Sequence, residues 1–176
     1  MIQVLDKRFT AFLSAGSIQE RIREMAGQIN ADYKGKEVTF VVILNGAFMF
    51  AGDLLKHIQL DCEIAFVKVS SYKGTESSGR VDEIIGLTND IADRDVVIVE
   101  DIVDTGITMD KIVKILNANG CRSLQIASLL FKPDAFNGKN PPHYTGFSIE
   151  NKFVVGYGLD YNEHGRNLDA IYQLTD

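Results

Sequence analysis

Three carboxylates and two hydroxyls crowd into one stretch of the chain, Val96-Val97-Ile98-Val99-Glu100-Asp101-Ile102-Val103-Asp104-Thr105-Gly106-Ile107-Thr108-Met109. An apolar run that reads as a buried strand ends on the acidic pair Glu100-Asp101. After a short apolar spacer, Asp104-Thr105-Gly106-Ile107-Thr108 opens a helix. Consecutive main-chain N–H groups in a tight turn ahead of a helix make an anion site, reinforced by the helix dipole. Gly106 lets the backbone approach an oxygen closely, and Thr105 and Thr108 add hydroxyl donors. Such a turn fits a phosphate monoester. Acids immediately upstream would repel that phosphate unless they hold something else, and sugar hydroxyls or Mg2+ are the natural occupants. Taken singly, Asp104 or Thr105 could simply cap the helix, and the acidic pair could simply be solvated. The joint pattern in one register is what points to a site. It is not the ATPase phosphate loop, since no Gly-x4-Gly-Lys-Ser/Thr occurs, nor the dinucleotide fingerprint, since no Gly-x-Gly-x2-Gly follows a strand.

The elements that must position these groups alternate between strand and helix. Ile18, Ile22, Met25, Ala26 and Ile29 share one face of a helix expected over Ser17 to Ile29. Glu37 to Leu44 reads as a strand buried on both sides, because its apolar run is continuous rather than alternating. A helix is expected after Asn45-Gly46-Ala47, through about His57, and a second strand over Cys62 to Val69. The polar stretch Ser70 to Arg80 has no core pattern, and its flanks can pair as a hairpin with Ile84 to Leu87. Asp95 to Val99 is a third buried strand, Met109 to Asn117 a helix stopped by Asn119-Gly120, and Leu124 to Phe131 a fourth strand. Short strands follow at Gly146 to Ile149, Phe153 to Val155 and Ile171 to Leu174. This alternation predicts an α/β fold with a mainly parallel sheet, as one domain over residues 1–176. In such a sheet ligands sit beyond the carboxyl ends of the strands, which directs attention to the loops beginning at Leu44, Val69, Val99, Phe131 and Val155.

Composition narrows the setting. The 176 residues are 45% hydrophobic and 24% charged, ordinary for a globular domain. No apolar run is long enough to span a bilayer as a helix, and the opening Met1-Ile2-Gln3-Val4-Leu5-Asp6-Lys7 lacks the pattern of a signal peptide. Cys62 and Cys121 are isolated and read as reduced thiols. A cytoplasmic protein with no membrane partner is the expectation. The formal net charge of −6 argues against nonspecific nucleic-acid binding. It does not argue against a phosphorylated small substrate held by backbone amides and a divalent metal.

Over residues 96–109 the chain resembles the type I phosphoribosyltransferases, and over nearly its whole length the hypoxanthine-guanine members of that family. The resemblance implies a mainly parallel central sheet flanked by helices, with a small hood formed from the chain ends. It implies that Glu100 and Asp101 hold the ribose hydroxyls and, with Asp160, Mg2+. Asp104, Thr105, Gly106, Ile107 and Thr108 would bind the 5-phosphate of 5-phosphoribosyl 1-diphosphate, with Asp104 also acting as acid/base near N7 of a purine. Leu44-Asn45-Gly46-Ala47 corresponds to a diphosphate loop often built on a non-proline cis peptide, and Asn45 stands where some members carry Lys. Read alone, Asn45-Gly46 is a plain turn.

Ser71-Tyr72 matches the mobile catalytic loop of the family, though a surface hairpin has the same composition. Lys132 matches a lysine that donates to the purine O6, where a lone strand-end lysine would merely be solvated. Phe153 would stack on the base, the Val154 backbone would read its edge, and Asp160 would lie near its 2-position. An aromatic before Val-Val otherwise reads as core. Arg166 matches an arginine that meets the diphosphate, where a surface arginine is the plain alternative. The substrate expected is a 6-oxopurine, in a homodimer or homotetramer. An RNA-binding regulator on the same scaffold with weak pyrimidine transferase activity is one rival, and a transferase that uses a pyrimidine or xanthine as its base is the other.

Overall fold

The structure is a computed structural model and describes residues 1–70, 83–87 and 90–175. The chain opens with a hairpin, β1 (Ile2–Val4) and β2 (Lys7–Leu13), and passes into α1 (Ala15–Asp32). Ser14 caps α1, its Oγ accepting from the Ser17 N–H, and the buried face is Ile18, Ile22, Met25, Ala26 and Ile29. There follow β3 (Val38–Leu44), α2 (Phe48–Leu55), β4 (Cys62–Ser70), β5 (Glu83–Ile85) and β6 (Asp95–Val103). Then come α3 (Ile107–Ala118), β7 (Ser123–Phe131), β8 (Tyr144–Ser148), β9 (Val154–Val155) and β10 (Ile171–Leu174).

Two sheets result. The larger is six-stranded, in the order β5-β4-β3-β6-β7-β8, with β5 antiparallel on β4 and the other pairs parallel. The smaller, β1-β2-β10-β9, is antiparallel and joins the two chain ends, which is the expected hood. Its strands β1 and β2 were not expected from sequence, because Lys7-Arg8 and two-sided exposure hide the alternation around the fully buried Phe9. No helix among the described residues is long and apolar enough to cross a membrane.

The main sheet separates two cores. Val38, Phe40 and Val42 of β3 pack toward α1 and α2, while Val41 and Ile43 pack with the buried side of α3. Burial on both faces explains the unbroken apolar run in this strand. At the entry to β6, Asp95 is 3% exposed and accepts from Arg122 Nη2 at 2.5 Å and Ser123 Oγ at 2.5 Å. The Arg122 guanidinium holds its carboxyl below the usual range, outweighing burial. A depressed folded-state pKa contributes stability above the unfolded value of about 3.9 and loses it as pH falls through the folded value. Asp95→Ala should therefore cost about 1–3 kcal/mol at pH 7, with the gap from wild type narrowing as pH falls from 5 toward 3. Urea midpoints across that range measure it, and a constant gap would refute the ionic account.

Strand order also creates the site. After β3 the chain moves to one side of the sheet, at β4, and returns on the other, at β6, so the β3–β6 border is a topological switch point. The β3–β6 ladder ends at Val42↔Val99, whereas β6 continues beside β7 to Val103↔Phe131. Glu100 and Asp101 thus lie within β6 and do not end it, a correction to the expected limit at Val99. The additional ladder with β7 extends the strand, and the lost ladder with β3 opens a crevice.

Candidate active site

That crevice is a cavity of about 370 Å³, with Leu44, Asn45 and Gly46 on one wall and Glu100 to Asp104 on the other. The Leu44–Asn45 peptide is cis. A Cβ on Gly46 would lie 1.7 Å from Asp101 Oδ2, so the carboxylate rests directly against the glycine. The two acids stand upright by local bonds: the Asp101 N–H donates to Glu100 Oε1 at 3.2 Å, and the Ile102 N–H donates to Asp101 Oδ1 at 2.9 Å. Glu100 is 8% exposed. Burial, and then the neighbouring Asp101 charge, push its carboxyl well above the usual range. Such a pair favours a cation or hydroxyl donors beside it.

The turn that follows faces the same cavity through Asp104, Thr105, Gly106 and Thr108. Gly106 is the N-cap of α3, with φ of 82°, and no side chain makes a capping bond there. The capping alternative for Asp104 and Thr105 therefore does not hold. The first-turn amides of α3 are the donors that an anion would meet at the positive end of the helix. Ile107, the first residue of α3, is 60% exposed and is not part of the cavity lining. The turn is braced from outside. Phe136 packs where a Gly106 Cβ would be, the Asn137 N–H donates to Thr105 O, and Asp110 accepts from the Lys139 and Asn140 amides.

Lys132 sits just past β7, its N–H bonded to Val103 O at 3.0 Å, which brings its side chain over the end of β6. It is 7% exposed, and Nζ donates to Asp104 Oδ2 at 2.9 Å and to Asn151 Oδ1 at 3.4 Å. A solvated strand-end lysine is thereby excluded. Phe153 is 45% exposed beside Phe9 and Tyr161, with ring centroids 6.3 and 6.0 Å away, so it is no core aromatic. Val154 is buried in β9, paired with Gln173.

Arg166 also lines the cavity. Its Nη2 lies 2.8 Å from Asp160 Oδ1 and 3.1 Å from Glu163 Oε2, and Nη1 donates to Gly158 O at 2.9 Å. Its Nε is buried without a partner among the described residues, so it is not a plain surface arginine. Ser71 and Tyr72 lie outside the described residues.

The described residues hold no cluster of three or more metal-ligating side chains. Glu100 and Asp101 adjoin, but Asp160 is engaged by Arg166. That donor set fits Mg2+, which keeps several waters and takes one or two carboxylates together with substrate phosphate. Sequence reasoning missed Asn151, whose polar neighbours Glu150 and Lys152 read as a turn, and Tyr157, whose hydroxyl meets Asp53 and Gln19. No local signal marks either contact.

Comparison with known proteins agrees with this geometry. The phosphoribosyl transferase domain family matches residues 10–162. A hypoxanthine-guanine phosphoribosyltransferase of Staphylococcus aureus is 43% identical over 163 residues, covering 92% of this chain and 91% of the relative. One from Mycobacterium tuberculosis is 42% identical over 172 residues, 94% of this chain and 85% of the relative. A crystal structure of a hypoxanthine phosphoribosyltransferase from Staphylococcus aureus superposes with a TM-score of 0.88 at 42% identity, covering 97% of this chain and 92% of that one. With a phosphate-type turn at the switch point and relatives spanning almost its full length, the chain belongs to the phosphoribosyltransferase family, in its hypoxanthine-guanine branch.

Proposed function

We propose that the protein joins hypoxanthine or guanine to the ribose 5-phosphate of 5-phosphoribosyl 1-diphosphate, releasing diphosphate. The observation that carries this reading is the buried Lys132, whose Nζ donates to Asp104 at the start of the 104–108 turn and to Asn151, two residues before the exposed Phe153. The residues 104–108 would grip the 5-phosphate through main-chain N–H groups and the hydroxyls of Thr105 and Thr108. Asn45, Gly46 and Arg166 would meet the diphosphate, and Glu100 and Asp101 the ribose hydroxyls.

Glu100 and Asp101, with Asp160 once it is released from Arg166, would hold Mg2+, which when bound would offset charge on the diphosphate. Arg166 would add charge-assisted hydrogen bonds to the leaving oxyanion. Phe153 would stack on the purine, the Val154 backbone would read its edge, and Asp104 would take the N7 proton as N9 attacks C1. Lys132 only donates and O6 only accepts, so the adenine amino group would set donor against donor. Ile64 and Phe66, two apart on one face of β4, are 41% and 52% exposed, and we take that face as the contact of a homo-oligomer; we place the enzyme in the cytoplasm.

The test is diphosphate release with Mg2+ and a panel of bases. Hypoxanthine and guanine should turn over, and adenine should be slower by at least about 100-fold. Preference for adenine or uracil would overturn the assignment.

A further inference from the structure

Tyr157 lies between Gly156 and Gly158, and all three have left-handed backbone, with φ of 102°, 52° and 99°. Glycine adopts such angles freely, but a tyrosine holds one only when its surroundings impose it. The imposing contacts are plain. The Tyr157 ring is 2% exposed, its N–H donates to Leu168 O at 2.9 Å, and its hydroxyl donates to Asp53 Oδ2. Gln19 Nε2 donates to that hydroxyl at 3.2 Å and to the same carboxylate, while Lys56 Nζ lies 2.5 Å from the other oxygen of Asp53. The hydroxyl thus ties residues 156–158 to α1 and to α2.

Helix α2 is also the element that begins directly after the Asn45-Gly46-Ala47 turn. The next residue after the tyrosine, Gly158, touches that turn: a Cβ on it would lie 1.9 Å from Gly46 O. Gly46 in turn presses on Asp101, and Gly158 O accepts from Arg166. A continuous train therefore runs from Asp53 through Tyr157 and Gly158 to Gly46, with Asp101 and Arg166 at its far end. We infer that the Tyr157–Asp53 hydrogen bond is a positioning contact that sets the Asn45-Gly46 turn against residues 156–158 and so presets the diphosphate side of the site. The inference rests on the proposed function for its ligand. Presetting matters because donors already in place cost no reorganisation when the anion arrives.

Tyr157→Phe removes the hydroxyl and keeps the ring. It should raise KM for 5-phosphoribosyl 1-diphosphate about fivefold to tenfold, with KM for hypoxanthine changed less than twofold, and should speed hydrogen exchange at amides 44–48. Asp53→Ala should do the same, and Asp53→Asn, which keeps an acceptor, should recover most of the loss. A lowered melting temperature with both KM values and the 44–48 exchange unmoved would mean that the bond only stabilises the fold, and would overturn the inference. If wild type releases no diphosphate with any base, the functional reading fails instead. The exchange comparison then still decides the contact, since faster exchange at 44–48 supports it and unchanged exchange overturns it.

Discussion

Replacing Asp104 by asparagine is expected to lower kcat for nucleotide formation by about 100-fold or more, because general-base assistance of this kind contributes about 10²–10⁴. The substitution is informative because it changes so little else. Asp104 is 44% exposed, and an asparagine oxygen can still accept from Nζ of the buried Lys132, which keeps that hydrogen bond while losing its counter-charge. The 104–108 turn enters α3 through Gly106, with no side-chain capping bond for the new residue to disturb. Affinity for 5-phosphoribosyl 1-diphosphate should therefore stay within about threefold of wild type by calorimetry, a difference well under 1.4 kcal/mol. On the proposed mechanism, what would be lost is a place for the N7 proton. In the native site Lys132 engages one carboxylate oxygen, and the group retains acceptor capacity for the base. A fall in kcat at constant affinity is the mark of an interaction made only in the transition state. A kcat within threefold of wild type would remove Asp104 from the proton transfer.

The parts of this site written in contiguous residues were legible in the sequence. The amide turn at 104–108 needs a glycine, short hydroxyls and a helix start within five positions, and all of these are local. The central strands were equally plain, since β3 and the start of β6 are buried on both faces and show it as unbroken apolar runs. What stayed hidden depends on partners far along the chain. The length of β6 is set by a ladder with β7 that outlasts its ladder with β3, and no residue in β6 announces that difference. Strands β1 and β2 carry charge and little core, and they become a sheet only when β10 arrives from the other end of the chain. Asp53 and Tyr157 are ordinary helix and loop residues until folding brings them together. The family resemblance placed Lys132 at the base, but its burial and its bond to Asn151 are tertiary facts.

Lys132→Ala tests the base-reading role most directly, and should raise KM for hypoxanthine by about 10- to 100-fold, as expected for a hydrogen bond to a charged group worth about 1.5–3 kcal/mol. The ammonium has three N–H bonds, and among the described residues two of them go to Asp104 and Asn151. The third is left for an acceptor, and the two bonds in place fix its direction before any base binds. Removing the side chain abolishes that donor and, on the proposed reading, would leave the O6 carbonyl without a partner, while adenine, which has no carbonyl there, would lose nothing. Discrimination between hypoxanthine and adenine should therefore collapse along with hypoxanthine affinity. The diphosphate side is expected to be indifferent, because the cavity lining at Gly46, the amide turn and Arg166 does not include Lys132. Binding of 5-phosphoribosyl 1-diphosphate should change less than threefold. If both ligands weaken equally, Lys132 serves the charge balance of the whole crevice and reads no base.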